Sequence, residues 1–221
     1  MDNQVWSDVD SYINDHILGK DDVLEKVLFN TTQAGLPNIQ VSAAQGKLLY
    51  QLALMVKAKN ILEIGTLGGY SAISMARALP KYGKLITLEA DLRHVEVAKN
   101  NVRLAGLENI IDIKTGKALD TLPLLVKSHP QKFDVIFIDA DKENIPNYYD
   151  WSIKLSHSGS IIIVDNVVRQ GQILQAESND LRIRGVRHFY EIVGQDKRVT
   201  ATTIQTVGSK GYDGFCLIHV L

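Results

Sequence analysis

Two acids and a base follow one of the most apolar runs in the chain. In FDVIFIDADKENI, Phe133 to Ile145, the run Val135-Ile136-Phe137-Ile138 stops at Asp139, Ala140, Asp141 and Lys142. The pattern returns downstream, where Ile161-Ile162-Ile163-Val164 ends in Asp165-Asn166. Short continuous apolar runs of this kind read as strands buried on both faces. Neighbouring strands lie ~4.8 Å apart, so adjacent strand tips would bring Asp139 and Asp165 together, with Asn166 next along the chain. Two carboxylates that close repel unless a cation lies between them. Three oxygen donors without His or Cys suit Mg²⁺, Mn²⁺ or Ca²⁺ rather than zinc or copper. The plainer alternative is that each Asp caps the helix after its strand. Lys142 follows Asp139 by three residues, so one turn brings both to the same side. Beside a bound cation its ammonium form is disfavoured, which suits a general base. In isolation it reads as a solvated loop lysine. Asp141 either balances a positive ligand or faces water.

A second constellation lies upstream in ILEIGTLGGYS, Ile61 to Ser71. Gly65, Gly68 and Gly69 allow a sharp turn and a close approach of backbone to a ligand. Glu89 ends the next β-rich run, 24 residues past Gly65. An acid there can accept hydrogen bonds from both hydroxyls of a ribose. The alternative is a tight turn with a solvated acid; turn and acid together, in a βαβ frame, favour an adenosine ligand. The dinucleotide pattern G-x-G-x-x-G is absent, because Leu67 occupies the place of its second glycine. Glu63, two residues before Gly65, is expected at the cleft mouth. A carboxylate there repels a pyrophosphate and attracts an ammonium or sulfonium. On charge, that selects S-adenosylmethionine over NAD.

The elements that must position these residues are read from periodicity. Up to about Lys57 the chain is helical, with Val5, Val9, Tyr12 and Ile13, then Val23, Leu24, Val27 and Leu28, at helical spacing. Ser42 with Gln45 has capping-box spacing and opens a third helix. Five short β-rich runs then alternate with helices: NILEI, KLITLE, IIDIK, DVIFID and SIIIVD. The intervening helices are expected near Tyr70–Leu79, Leu92–Leu104, Ala118–Val126 and Ile145–Leu155. That alternation means βαβ units and a parallel sheet covered on both faces; one reversal of strand order makes strands four and five neighbours. After a helix at Val186–Val193, VTATTIQTV and GFCLIHVL form an antiparallel hairpin across GSKGYDG. The expected fold is α/β: a doubly wound, mostly parallel seven-stranded sheet with an antiparallel edge hairpin and extra N-terminal helices. A single domain is expected over 1–221, with a helical cap at 1–57 and an α/β core at 58–221.

Composition narrows the partners. The chain has 45% hydrophobic and 22% charged residues and a net charge of −1, which gives no overall drive toward nucleic acid or an anionic membrane. No apolar run approaches the ~18 residues of a membrane span. The acidic, polar start MDNQVWSDVD is unlike a secretory signal, and the single Cys216 fits a reducing compartment, so a cytoplasmic location is expected. His16, His94, His129, His157, His188 and His219 lack metal-ligand spacing.

LEIGTLGGYS, the acid ending the second strand, FIDADK and VDN together resemble the cation-dependent O-methyltransferases, the group containing catechol and caffeoyl-coenzyme A O-methyltransferases. The resemblance runs from Val41 to Leu221, and its most specific part is DADK followed by DN, with Asp165 26 residues after Asp139. It implies the Rossmann-like methyltransferase fold, with Asp139, Asp165 and Asn166 holding a divalent metal, Mg²⁺ first. Lys142 would take the proton of an acceptor hydroxyl. Val41, Glu63, Gly65, Ser71, Glu89, Ala118 and Asp139 would surround S-adenosylmethionine. The implied acceptor is a vicinal-dihydroxy aromatic of catechol, flavonoid or caffeoyl type, and the implied assembly a homodimer. Val41-Ser42-Ala43-Ala44 and Val167 to Asp180 depart from the plant-type pattern where the acceptor pocket lies. The alternative acceptor is a hydroxylated tRNA base, for which Lys57, Lys59, Arg182, Arg184, Arg187 and Lys210 could form a patch. A non-catalytic adenosine-ligand sensor would have no need of a metal and a base. An NAD oxidoreductase is disfavoured by Leu67 and Glu63.

Overall fold

Every apolar run expected to pair becomes a strand. These are β1 (Asn60–Ile64), β2 (Lys84–Glu89), β3 (Ile111–Thr115), β4 (Phe133–Ile138), β5 (Ser156–Asp165), β6 (Val199–Gly208) and β7 (Gly211–Val220). The computed structural model describes residues 3–129 and 131–221; Met1 and Asp2 of the acidic start lie outside the described residues. The strands form one sheet in the order β3-β2-β1-β4-β5-β7-β6. Five are parallel, and β7 pairs antiparallel with both β5 and β6.

Among the described residues eight α-helices surround the sheet: α1 (Asn3–Ile13), α2 (Asp22–Gln33), α3 (Ala43–Met55), α4 (Tyr70–Ala76), α5 (Leu92–Leu104), α6 (Ala118–Ser128), α7 (Ile145–Leu155) and α8 (Leu181–Gln195). Their starts follow local chemistry. Asp21 accepts from the Leu24 N–H at 3.0 Å and Ser42 from the Gln45 N–H at 3.2 Å, each supplying a partner for a free N–H of a first turn. Asp180 does the same for Arg182 at 2.9 Å, which starts α8 five residues before the expected Val186. The expected loop GSKGYDG shrinks to Ser209-Lys210, because pairing continues to Gly208 and Gly211.

The strand period divides the core into two. Leu62, Ile64, Ile136 and Ile138 face α6, α7 and α8, where they meet Leu122, Tyr149 and Phe189. Ile61, Val135 and Phe137 face the other way, toward Val27, Leu49 and Ile73 of α2, α3 and α4. Burial of each such side chain contributes ~1.5–3 kcal/mol relative to exposure. The apolar stripe of α1 behaves differently: Val5, Val9 and Tyr12 are exposed.

The strand order reverses between β1 and β4, and the carboxyl ends there open into a cleft. Gly65 makes the approach possible. Its φ is +100°, and a Cβ on it would lie 2.0 Å from the Asp139 carbonyl oxygen. The Asp139 N–H donates to the Ile64 carbonyl at 2.9 Å, so the two strand tips are tied where the glycine passes. Gly65→Ala is therefore expected to lose ~2 kcal/mol by overpacking, a fall in Tm of roughly 4–8 °C by scanning calorimetry. An unchanged Tm would show that the tips can part without cost.

Candidate active site

The cleft encloses about 950 Å³. Val41 from the segment before α3, Gly65 and Ser71 around the β1 turn, Glu89 at the end of β2, Ala118 at the start of α6 and Asp139 after β4 all line it. Lys142 and Asn166 line it too. Eight of the residues singled out by sequence thus reach one cavity.

The turn after β1 is shaped by Glu89. Its Oε2 accepts from the N–H groups of Thr66 at 3.2 Å and Leu67 at 2.9 Å, while Oε1 accepts from Asp91 N–H at 3.0 Å. Leu67 takes φ 50°, an uncommon left-handed conformation for a residue with a side chain. The acid that was expected to bind a sugar also holds the glycine-rich turn in place.

Glu63 corrects one expectation. It does not face the cleft mouth; it is fully buried beneath α4. Glu63 belongs to the face of β1 that packs against α4, so its side chain runs under the helix rather than toward the opening. There its Oε1 accepts from Ser71 Oγ at 2.6 Å and its Oε2 from Thr87 Oγ1 at 2.5 Å. Burial pushes its carboxyl up to about 8, the hydroxyl bonds oppose that rise, and the charges of Asp139 and Glu89 add to it. At neutral pH the side chain is mostly an uncharged acid that fixes Ser71, and the charge argument for the ligand does not run through it.

The two acid-terminated strands meet as expected. Ile138 of β4 pairs with Val164 of β5, which places Asp139 and Asp165 side by side. Neither caps a helix. Asp165 Oδ1 accepts from its neighbour Asn166 N–H at 2.8 Å, and the short helical turn after Asp139 has no side-chain cap. Asp165 is buried and lies beneath the cavity wall, whereas Asp139 is partly exposed in it. Burial, then the Asp139 charge, pushes the Asp165 carboxyl up to about 7, while Lys142, the Asn166 N–H and the Gln45 amide pull it down. Asn166 turns back into the cleft through a left-handed φ of 56°. The Lys142 side chain is not a solvated loop lysine: it is buried, and its Nζ donates to Asp139 Oδ1 at 2.9 Å.

The donor set fits a hard cation: two carboxylates and one amide, all offering oxygen. Among the described residues there is no cluster of three or more His, Cys, Asp or Glu that could hold a metal, so the amide of Asn166 is needed to complete a three-donor set. The Lys142 ammonium supplies positive charge beside the carboxylates.

Some site residues were not singled out by sequence. Tyr148 donates from its hydroxyl to Asp141 Oδ1 at 2.5 Å, and Asn144 Nδ2 donates to Oδ2 at 2.5 Å, which fixes Asp141 in the cleft wall. The signal was present: Tyr148 lies two helical turns after Asp141. Arg169 also lines the cleft, from the 167–180 stretch, whose irregular turns have no periodicity to read; Arg182, singled out for a basic patch, lines it from the first turn of α8.

This geometry can be compared with known proteins. A family model described as O-methyltransferase matches residues 14–219. The chain is 48% identical over 220 residues to a catechol O-methyltransferase of Niastella koreensis, covering 100% of each. It superposes with TM-score 0.98 on an O-methyltransferase from Bacillus cereus in complex with SAH, at 47% identity over 100% of both chains. An O-methyltransferase from Streptomyces achromogenes in complex with SAM gives TM-score 0.96 at 43% identity, over 100% of this chain and 99% of that one.

The chain belongs to the O-methyltransferase family. It is an S-adenosylmethionine-dependent transferase. The seven-stranded sheet is the Rossmann-like methyltransferase fold.

The buried acids give this O-methyltransferase a pH signature. Glu63 holds its proton more tightly folded than unfolded, so its contribution to stability is complete below the ordinary value near 4.5 and is lost as pH rises through about 8. In metal-free buffer, Tm is expected to fall between about pH 4.5 and 8. Glu63→Gln, which keeps the shape and a hydrogen-bonding carbonyl, should flatten that fall. Equal slopes in thermal melts of both proteins would mean that the acid is ionised in the folded state.

Proposed function

We propose that the enzyme transfers the methyl group of S-adenosylmethionine to one hydroxyl of a vicinal-dihydroxy aromatic small molecule, with a divalent cation at Asp139, Asp165 and Asn166. The observation that carries this reading is the pair of carboxylates at adjacent strand tips, with Lys142 Nζ 2.9 Å from Asp139, beside a cavity of about 950 Å³ that Asp139, Lys142 and Asn166 line. Relatives named as catechol O-methyltransferases support the acceptor class.

The cation, Mg²⁺ first and Mn²⁺ or Ca²⁺ as alternatives, would supply Lewis-acid polarisation of the acceptor hydroxyl, and S-adenosylmethionine supplies an electrophilic methyl. The rest falls to the chain. Lys142 Nζ, held 2.9 Å from Asp139 Oδ1, would accept the hydroxyl proton. Glu89 is held in register to accept from a ribose, and Val41, Gly65, Ser71 and Ala118 enclose the donor. Glu63 acts behind Ser71. Asp141, fixed by Tyr148, presents negative charge toward the sulfonium. Orientation of hydroxyl and methyl in line can contribute ~7–11 kcal/mol. No covalent intermediate with the protein is needed.

A tRNA acceptor receives less support. Arg182 is taken up by Asp180 at 2.6 Å, Arg187 by the Ile173 carbonyl at 2.5 Å and Lys210 by Asn38 at 2.9 Å. Three members of the expected basic patch are thus engaged within the protein. A homodimer is supported by the exposed Val5, Val9 and Tyr12, apolar surface that a second copy would cover. The buried, unpaired Cys216 supports a reducing, cytoplasmic setting, and among the described residues no helix is long and apolar enough to cross a membrane.

Excess EDTA is expected to abolish methylation of catechol, and Mg²⁺ or Mn²⁺ to restore it; full turnover in the chelator would overturn the metal role. Asp165→Ala should lower kcat at least ~10²-fold while changing the affinity for S-adenosylmethionine only a few-fold. Lys142→Ala should lower kcat by ~10²–10⁴-fold with metal affinity largely kept. Titration calorimetry alongside steady-state rates separates these outcomes, and unchanged kcat in Lys142→Ala would make the lysine structural.

A further inference from the structure

Among the described residues, Arg169 Nε is the only buried side-chain nitrogen or oxygen with no hydrogen-bond partner. Such an orphan is rare in folded proteins and costly, most of all on a cation. Its nearest acid, Asp213, does not meet the need. Asp213 Oδ1 is occupied by the N–H groups of Val168, Arg169 and Gly214, at 3.0, 2.9 and 3.0 Å. Asp213 Oδ2 stands 3.8 Å from Arg169 Nη1, beyond hydrogen-bonding distance. The other cleft arginine is different: Arg182 lies against Asp180 with contacts at 3.0 Å from Nε and 2.6 Å from Nη2.

The backbone around Arg169 is strained as well. Arg169, Gln170 and Gly171 take φ of 53°, 55° and 79° in succession, and two of them carry side chains that disfavour it. Asp213 holds this turn through the two N–H groups, so the strain is built in rather than adventitious. The result is an arginine, its side chain 26% exposed, in the wall of the cleft, with the Asp213 carboxylate at 3.8 Å but outside hydrogen-bonding distance.

We propose that Arg169 is a specificity-determining residue that pairs with a carboxylate on the aromatic diol acceptor. This rests on reading the cleft as the acceptor site of a methyl transfer. The planar fork of a guanidinium matches a carboxylate through two parallel hydrogen bonds, and a small rotation of the side chain gives Nε its partner. Arg169 follows Asn166 by three residues, a chain length that spans at most ~11 Å. The anionic group therefore sits on a short arm of the ring that carries the hydroxyls. Phosphates at the far end of a coenzyme A thioester lie beyond that reach.

The test is a ratio. With S-adenosylmethionine and Mg²⁺, kcat/KM is measured for dihydroxybenzoate and for its neutral amide, in the wild type, Arg169→Gln and Arg169→Lys. The wild type is expected to favour the acid, and Arg169→Gln to lower the acid-to-amide ratio by roughly 10–100-fold, the range of a hydrogen bond to a charged group. Arg169→Lys should retain part of the preference. Because both rates come from one preparation, a partly misfolded variant leaves the ratio untouched. An equal fall on both acceptors, or a wild type with no preference for the acid, would overturn the inference while leaving the methyl transfer standing. A preference seen only for the coenzyme A thioester and lost in Arg169→Gln would assign the arginine to phosphate and overturn the carboxylate. No turnover on any diol, unsubstituted catechol included, would bring down the proposed function and this inference with it.

Discussion

Two carboxyl groups are forced together at the tips of β4 and β5, and one of them is buried. Neither can move away, because Ile138 and Val164 beneath them are locked in the parallel ladder at the centre of the sheet. Ionising both without a cation between them sets like charges against each other in a medium poorer than water at screening. The chain answers in part with Lys142, whose ammonium reaches Asp139. That answer is incomplete by design of the backbone: the lysine touches Asp139, and Asp165 is left holding its proton more tightly than a free aspartate. Much of the site follows from this one unresolved repulsion.

The surroundings keep the conflict in place. Gly185 lets α8 lie against the backbone of Lys142; a Cβ there would come within 2.3 Å of the Lys142 carbonyl oxygen. Helix packing thus fixes the turn that carries the lysine. On the other side of the cleft, Glu89 gathers three backbone N–H groups and so determines the shape of the glycine turn. Glu63 does related work from below by anchoring Ser71. Acids hold both halves of the site, Asp139 and Asp165 at one and Glu89 and Glu63 at the other, and burial raises the proton affinity of Asp165 and Glu63.

That division explains what could be read from residues alone. Strand tips ending in acids were legible, because β4 and β5 are continuous apolar runs buried on both faces and each run stops at an Asp. Helix starts were legible where Asp21 and Ser42 cap them. The direction of Glu63 was not, because the two faces of β1 are equally apolar and only the docking of α4 distinguishes them. Arg169 was not legible for another reason. Its loop has neither period nor repeated turn residues, and its conformation depends on Asp213, 44 positions along the chain. The exposed stripe of α1 shows the opposite failure: the helical period was right, but period alone does not say what the stripe meets.

A core built on strand pairing tolerates little change, while the loops that border the cleft are free of it. Asp139, Asp165 and Gly65 sit where the ladder ends, so altering them disturbs the chemistry and the packing of the tips together. Val167 and Val168 are buried, and Val167 N–H donates to the Gly214 carbonyl of β7 at 3.0 Å; beyond them the segment to Asp180 is largely exposed and irregular. Changes in that outer part reach the cleft wall with little effect on the sheet. On the proposed reading, methyl-transfer geometry belongs to the rigid part and acceptor choice to the irregular part. In such an arrangement, acceptor preference can diverge while the transfer apparatus stays fixed, since no residue of the ladder has to move for a new group to be recognised.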